Sequence, residues 1–93
     1  MSTQERGLQL IKEHIGDTHV YENNVANAFL EKTRIPVWAL VGDWMALGKS
    51  LEKVAAHHDI LVTEVEAALA YYAQYESEID KRLRENEGYK LTA

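Results

Sequence analysis

Apolar residues recur at three- and four-residue steps near the start of the chain, which predicts a short amphipathic helix over residues 3–15. The members of this apolar stripe are Leu8, Ile11 and Ile15. From Pro36 onward, a broader apolar face predicts a first core helix, which ends at Gly48 because glycine readily takes the left-handed conformation that follows a helix. The apolar positions of this helix are Val37, Trp38, Leu40, Val41, Trp44, Met45 and Leu47.

Two more helices are predicted after this one. Ser50 is a good N-cap for a short second core helix, whose inward residues are Leu51, Val54, Ala55 and His58. A capping box of Thr63 and Glu66 then starts a third helix that runs to about Asn86. This helix would span roughly 35 Å, whereas a domain of this size has a radius of gyration of only about 13 Å. Its far half therefore needs cover, from the N-terminal helix or from a second chain, and this is the main reason to expect a homodimer.

The stretch over residues 18–34 is less regular. Asn23 and Asn24 lie between two short apolar runs, residues 19–21 and 28–30, and asparagine tolerates the positive φ angles of tight turns. This pattern allows either a short β-hairpin or a loop.

The order of elements predicts an all-α fold of the helix-turn-helix type: a helix, a glycine turn, a short helix, a second turn and a long helix. We expect one domain over residues 1–93. It comprises an N-terminal arm over residues 1–32, a helix-turn-helix core over residues 33–87 and a tail over residues 88–93.

Composition narrows the choice of function. The chain has no cysteine, which excludes disulfides, thiolate zinc sites, iron–sulfur clusters and cysteine nucleophiles. Its net charge is −5, and residues 63–87 carry seven acidic and three basic side chains. Phosphate contacts dominate affinity for nucleic acid, so an acidic last helix argues against DNA as the main partner. The strongest candidates for nucleic-acid contacts are Lys32, Arg34, Lys49, Lys53 and Gln74.

The positions of the third core helix that would face a DNA groove are predicted to be Glu64, Glu66, Ala67, Ala70, Tyr71 and Gln74. Only Gln74 has a side chain typical of specific base recognition. Protein contacts have better support, because aromatic residues dominate interface energetics when they are not part of the core. We assign Trp38, Trp44 and Tyr72 to the core. The candidate dimer or partner contacts are Leu8, Ile11, Ile15, Tyr71, Tyr75, Ile79 and Leu83.

No sequence motif of an enzyme is found. The chain contains no phosphate-binding glycine loop, nucleophile elbow or paired histidine–carboxylate motif. His57 and His58 resemble metal ligands, but adjacent helical residues point about 100° apart, so we expect no metal site and no cofactor.

The first residues lack the features of a signal peptide, and the apolar run over residues 35–42 is too short to cross a membrane. These features predict a soluble cytoplasmic protein without membrane contacts.

Three ordered blocks of sequence resemble a known family. Residues 33–38 (Thr-Arg-Ile-Pro-Val-Trp) are similar to its Gly-Thr-Arg-Ile-Pro-Val signature, and residues 47–55 (Leu-Gly-Lys-Ser-Leu-Glu-Lys-Val-Ala) to its Gly-Met-Ser-x-Glu-Glu-Ile-Ala turn and helix. Residues 65–72 (Val-Glu-Ala-Ala-Leu-Ala-Tyr-Tyr) and 78–80 (Glu-Ile-Asp) are similar to its last helix and the continuation of that helix. The family is the one catalogued as domain of unknown function 433.

This resemblance implies a homeodomain-like three-helix fold, commonly dimeric, and an antitoxin-like role beside nuclease toxins of the PIN type. The chain departs from the family at Lys32, where a glycine is usual, and over residues 24–30, which replace a Gly-Lys-Pro hairpin. We therefore expect a small non-enzymatic antitoxin-like or regulatory protein that acts mainly through protein contacts. The alternatives are a stand-alone sequence-specific DNA-binding regulator and a purely structural interaction domain.

Overall fold

The computed structural model describes residues 3–15 and 24–86, and within them the chain is mostly helical. The helices are α1 (Thr3–His14), α2 (Val37–Ala46), α3 (Leu51–His58), α4 (Val62–Gln74) and α5 (Glu76–Glu85), and a 3₁₀ turn spans Val25–Asn27. The described residues form no β-strand, so the predicted all-α class is confirmed. None of the described helices has the length and apolar character needed to cross a membrane.

Helix α4 lies at the centre of the structure and packs against α1, α2 and α3. It can pack against three helices because its apolar positions occupy more than one face. Four of its side chains have no exposed surface. These four are Val65, Ala67, Ala68 and Tyr71. The core continues through Leu30, Val37, Leu40, Val41 and Val54, all of which are fully buried. The apolar pattern of the sequence thus predicted most core positions of α2 and α3, but Met45, which it placed on the apolar face of α2, is exposed.

The turn between α2 and α3 forms as predicted. Gly48 has φ +73°, in the left-handed region, and follows the C-cap of α2. The Lys49 N–H donates to the carbonyl of Trp44 at 2.7 Å, which satisfies a carbonyl at the end of the helix. The Ser50 hydroxyl accepts a hydrogen bond from the Lys53 N–H at 3.2 Å and caps the start of α3.

The prediction of one long helix from Thr63 to Asn86 is wrong. The chain bends at Tyr75, which has non-helical angles (φ −127°, ψ 41°), and α5 turns back onto α2 and the 3₁₀ turn. Ile79 is completely buried as a result, and the Arg82 guanidinium donates to the Asn27 side chain at 2.8 Å. The far half of the helix is therefore covered by its own chain, and the main sequence-based reason to expect a dimer no longer applies.

The predicted capping box is also misplaced. Helix α4 starts at Val62, and the Leu61 N–H donates to the carboxylate of Glu64 at 3.0 Å. Glu64 is buried, whereas Glu66 forms an ion pair with Arg6 at 3.6 Å. The helix starts two residues earlier than predicted because a buried carboxylate can cap its first turn.

The region before α2 is a closed loop within the described residues. Asn24 caps the 3₁₀ turn by accepting from the Ala26 N–H at 2.9 Å. An isolated antiparallel bridge then joins Phe29 to Pro36, and Arg34 in the turn between them has φ +65°. The first arm of the hairpin allowed by the sequence, with Asn23, lies outside the described residues. So do the glycines predicted to end the first and last helices, and the C-terminal tail.

A hydrogen bond holds the two sides of the α4–α5 bend together. The Tyr72 hydroxyl donates to the Asp80 carboxylate at 2.7 Å. Partial burial, this hydrogen bond and the negative charges of Asp80 and Glu76 raise the pKa of Tyr72 to about 12.

This raised pKa predicts a loss of stability in strong alkali. The tyrosine of the unfolded chain ionises near pH 10, before that of the folded chain, so the stabilisation present below pH 10 is lost as the pH rises toward 12. We expect the difference in free energy of unfolding between wild type and Tyr72→Phe to shrink by about 1 kcal/mol between pH 9 and pH 11.5. The effect is no larger because Tyr72 is partly exposed, and solvent screens its interactions with the two carboxylates. Urea unfolding of both proteins at each pH measures it. A constant difference would contradict the prediction.

Candidate functional site

A groove with a volume of about 680 Å³ lies between α1 and α4. The two helices approach closely beside it, since a Cβ atom added to Gly7 would lie 3.3 Å from the Cβ of Ala70. The residues that line the groove are Arg6, Gly7, Leu8, Leu10, Leu51, Glu66, Leu69, Ala70, Ala73 and Gln74. Most of them are apolar or small.

The groove exposes apolar side chains at the surface of the chain. Leu8 projects from α1 and keeps 49% of its surface accessible, which makes it one of the few large apolar residues that the fold leaves exposed. At the rim, Arg6 and Glu66 form an ion pair across the two helices. An apolar floor with a polar rim is typical of protein-binding surfaces.

The structure places most of the predicted dimer contacts inside the chain itself. Ile15, Tyr71 and Ile79 are almost completely buried, and Ile11 is 7% exposed. Tyr75 and Leu83 are partly buried and pack against the same core. Of the seven predicted residues, Leu8 alone is exposed and lines the groove.

Tyr71 shows why the sequence pattern misled on this point. Its ring lies in the core, and its hydroxyl donates to the Val25 carbonyl at 2.7 Å. The neighbouring Tyr75 ring is 4.8 Å away between centroids. Helical spacing placed Tyr71 on the outer face because α5 was expected to continue straight. In the folded chain, the bend and the 3₁₀ turn cover that face.

The predicted nucleic-acid contacts do not line one common depression. Lys32 borders a shallow depression beside Asp59 and Glu64, whereas Gln74 lines the apolar groove. Each of two others lies over an aromatic ring: the Arg34 guanidinium is 5.2 Å from the centroid of Phe29, and the Lys49 ammonium is 5.5 Å from that of Trp44. Lys53 is exposed in the first turn of α3.

Six residues of α4 were predicted to face the major groove of DNA, and this prediction is wrong for three of them. Glu64, Ala67 and Tyr71 are buried, so they cannot reach the edges of DNA bases. The remaining three predicted positions, Glu66, Ala70 and Gln74, line the apolar groove with α1. The outer face of α4 therefore forms part of a surface suited to protein contacts.

A second cluster of polar side chains joins α2 to the last turn of α3. Asp43 of α2 is buried, and its Oδ2 accepts from the His58 Nε2 at 2.5 Å. His57 packs its ring against that of His58, with centroids 4.8 Å apart and planes perpendicular. One candidate ligand atom from each of the three residues lies within 4.8 Å of the others. The two histidines are adjacent in the sequence, and the fold adds the Asp43 carboxylate of α2 to them.

Comparison with known proteins gives one match to a family model. The model described as Protein of unknown function (DUF433) matches residues 26–72, about half of the chain, from the 3₁₀ turn into the last turn of α4. The match includes the first two blocks on which the resemblance was based and residues 65–72 of the third; residues 78–80 lie beyond it. No curated protein and no solved structure matches the chain.

Proposed function

The chain belongs to the DUF433 family, and from this starting point we propose that it is a non-enzymatic interaction module that binds a helix of a partner protein in the groove between α1 and α4. The observation that carries this proposal is the exposed apolar groove with Leu8 at its edge. The resemblance to antitoxin-like proteins agrees with a function carried out through protein contacts.

The shape and lining of the groove favour a helix as the bound element. The small side chain of Ala73 leaves room for another backbone to come close, and Leu8 and Leu69 supply apolar contacts. An amphipathic helix presents apolar residues at three- and four-residue steps and fits such a groove. Arg6 and Glu66 at the rim offer one charge of each sign to the polar flanks of that helix.

The partner implied by the family resemblance is a PIN-type nuclease toxin, which the chain would neutralise by binding. A second copy of the chain is the other occupant to test, as a homodimer. Sequence-specific DNA binding ranks below both, because three of the predicted base-reading positions are buried and the exposed cations are spread over separate elements.

Substitution of Leu8 by aspartate tests the groove directly. The wild-type chain is co-expressed with the product of the adjacent gene, and the affinity of the purified complex is measured by calorimetry. We expect Leu8→Asp to weaken binding at least about tenfold, since a buried leucine contributes roughly 1.5–3 kcal/mol and a charge in its place must be desolvated.

Leu61→Asp is the matched control. Leu61 is 58% exposed and lies at the start of α4, among the residues of other depressions. We expect this variant to bind within about twofold of wild type, and circular dichroism checks that both variants keep their helices. Equal effects of the two substitutions would refute the groove as the binding surface.

Two further measurements separate the alternatives. Light scattering of the chain alone detects a dimer, which Leu8→Asp should dissociate if a second copy occupies the groove. Fluorescence anisotropy with DNA from the upstream region at physiological salt tests the regulator alternative. A dissociation constant well below the non-specific range of about 10⁻⁴–10⁻⁶ M means tight binding to DNA. If Leu8→Asp leaves that constant unchanged, the result would favour DNA over a protein partner.

A further inference from the structure

The cluster of Asp43, His57 and His58 is separate from the groove and is not used by the proposed function. It joins the middle of α2 to the last turn of α3. Its three side chains differ in exposure: Asp43 is buried, His58 is partly buried and His57 is exposed. The cluster thus reaches from the interior to the surface.

One carboxylate oxygen of this cluster has no partner. Asp43 is 1% exposed, and while its Oδ2 accepts from His58, its Oδ1 has no hydrogen-bond partner among the described residues. Burial of a carboxylate oxygen without a hydrogen-bond donor destabilises the fold. Such oxygens usually accept a hydrogen bond or bind a cation. The orphaned oxygen belongs to the same residue that faces the two imidazoles.

The position of the cluster also favours positive charge. His57 and His58 lie in the last turn of α3, where unpaired carbonyls concentrate partial negative charge. The helix ends at Asp59, which has φ +55° and adds a further carboxylate close by in the chain. A cation bound here would interact with the carboxylate of Asp43 and with this end of the helix.

We propose that Asp43, His57 and His58 bind one divalent first-row transition-metal ion, with Zn²⁺ as the reference ion. Two imidazoles and one carboxylate are ligands that such ions favour, whereas Mg²⁺ and Ca²⁺ prefer oxygen ligands alone. Three protein ligands leave a fourth position of a tetrahedral ion open to water. Exposure of His57 gives the ion a path to the site from solvent.

The geometry requires only a local adjustment. The candidate ligand atoms lie within 4.8 Å of one another, and a tetrahedral zinc site needs about 3.3 Å between ligand atoms. Rotation of the exposed His57 side chain can close most of this difference. Ligation through the His58 Nε2 also replaces its hydrogen bond to Asp43, and the proton of that bond moves to the other ring nitrogen, because a ligating nitrogen must be unprotonated.

Metal titration of the whole chain, with any affinity tag removed, tests this site. We expect calorimetry with Zn²⁺ to show one ion per chain, and Co²⁺ to give the visible absorption of a four-coordinate site. His57→Ala should weaken Zn²⁺ binding at least about tenfold. Because His57 is exposed, this variant is expected to fold, and its melting temperature without metal checks that it does.

His14→Ala is the control, because His14 lies on α1 and outside the cluster. It should bind Zn²⁺ like wild type. Zn²⁺ should raise the melting temperature of wild type and of His14→Ala but not of His57→Ala, and binding should be weaker at pH 6 than at pH 8 because protons compete with the ion for imidazole ligands. No binding at 100 µM Zn²⁺, or binding that His57→Ala leaves unchanged, would overturn the proposal.

Discussion

Tyr71→Ala is expected to lower the free energy of unfolding by about 3–5 kcal/mol, the usual cost of removing a large aromatic side chain from a core. The ring has no exposed surface, and its hydroxyl holds the 3₁₀ turn through the Val25 carbonyl. A chain of this size has a total stability of roughly 5–14 kcal/mol, so the substitution removes a large share of it. Urea denaturation followed by circular dichroism measures the effect.

Two companion variants separate the contributions of the ring and the hydroxyl. Tyr71→Phe keeps the ring and should cost about 1 kcal/mol, because the partly buried Val25 carbonyl loses one of its two donors and keeps the Ala28 N–H at 3.3 Å. Tyr75→Ala removes a partly exposed ring and should cost clearly less than Tyr71→Ala. If Tyr71→Ala leaves the unfolding midpoint unchanged, or if Tyr75→Ala costs more, the placement of Tyr71 in the core is wrong.

His58→Ala should also be strongly destabilising in a buffer that contains a chelator. Loss of the imidazole leaves both oxygens of the buried Asp43 carboxylate without a partner. Breaking a buried pair in this way typically costs roughly 3–5 kcal/mol. We expect about 3 kcal/mol at pH 7, toward the lower end, because His58 is partly exposed and water can reach the vacated space. Thermal and urea unfolding both measure this loss.

A double-mutant cycle isolates the interaction itself. Once Asp43 is also replaced by alanine, removal of His58 should cost much less, because no unpaired carboxylate remains in the interior. The two single variants would then be strongly non-additive. Additive effects would mean that the short contact between the Asp43 and His58 side chains contributes nothing to stability.

Local signals in the sequence were sufficient where one residue decides a conformation. Gly48 takes the left-handed angle that ends α2, and the Ser50 hydroxyl caps α3, as their residue types predict. The apolar stripe that contains Ile11 and Ile15 correctly marked α1 and its inward face. These features depend on interactions between residues a few positions apart in the chain, so they can be predicted from the sequence alone.

The candidate sites could be predicted only in part. The sequence named Leu8 as a candidate contact residue, but the groove beside it needs Ala70 and Ala73 from a helix some sixty residues away. In the second cluster, His57 and His58 were visible as a pair, whereas no sequence pattern links them to Asp43, the one charged residue of α2. Nothing in the sequence brings these elements together, since contacts between distant segments depend on how the helices pack.

By itself, the sequence determined the all-α class, the family, the positions of the first three helices and the start of the fourth to within a few residues. It also determined most of the core positions, because helical periodicity and caps are local properties. The tertiary structure alone decided that the last helix bends at Tyr75, where no proline or glycine marks a break. The bend allows Ile79 to be buried against the chain's own core, and Leu83 to pack beside Gly42. Burial of apolar surface outweighs the local preference for one continuous helix, and it turned the expected dimer face into part of the interior.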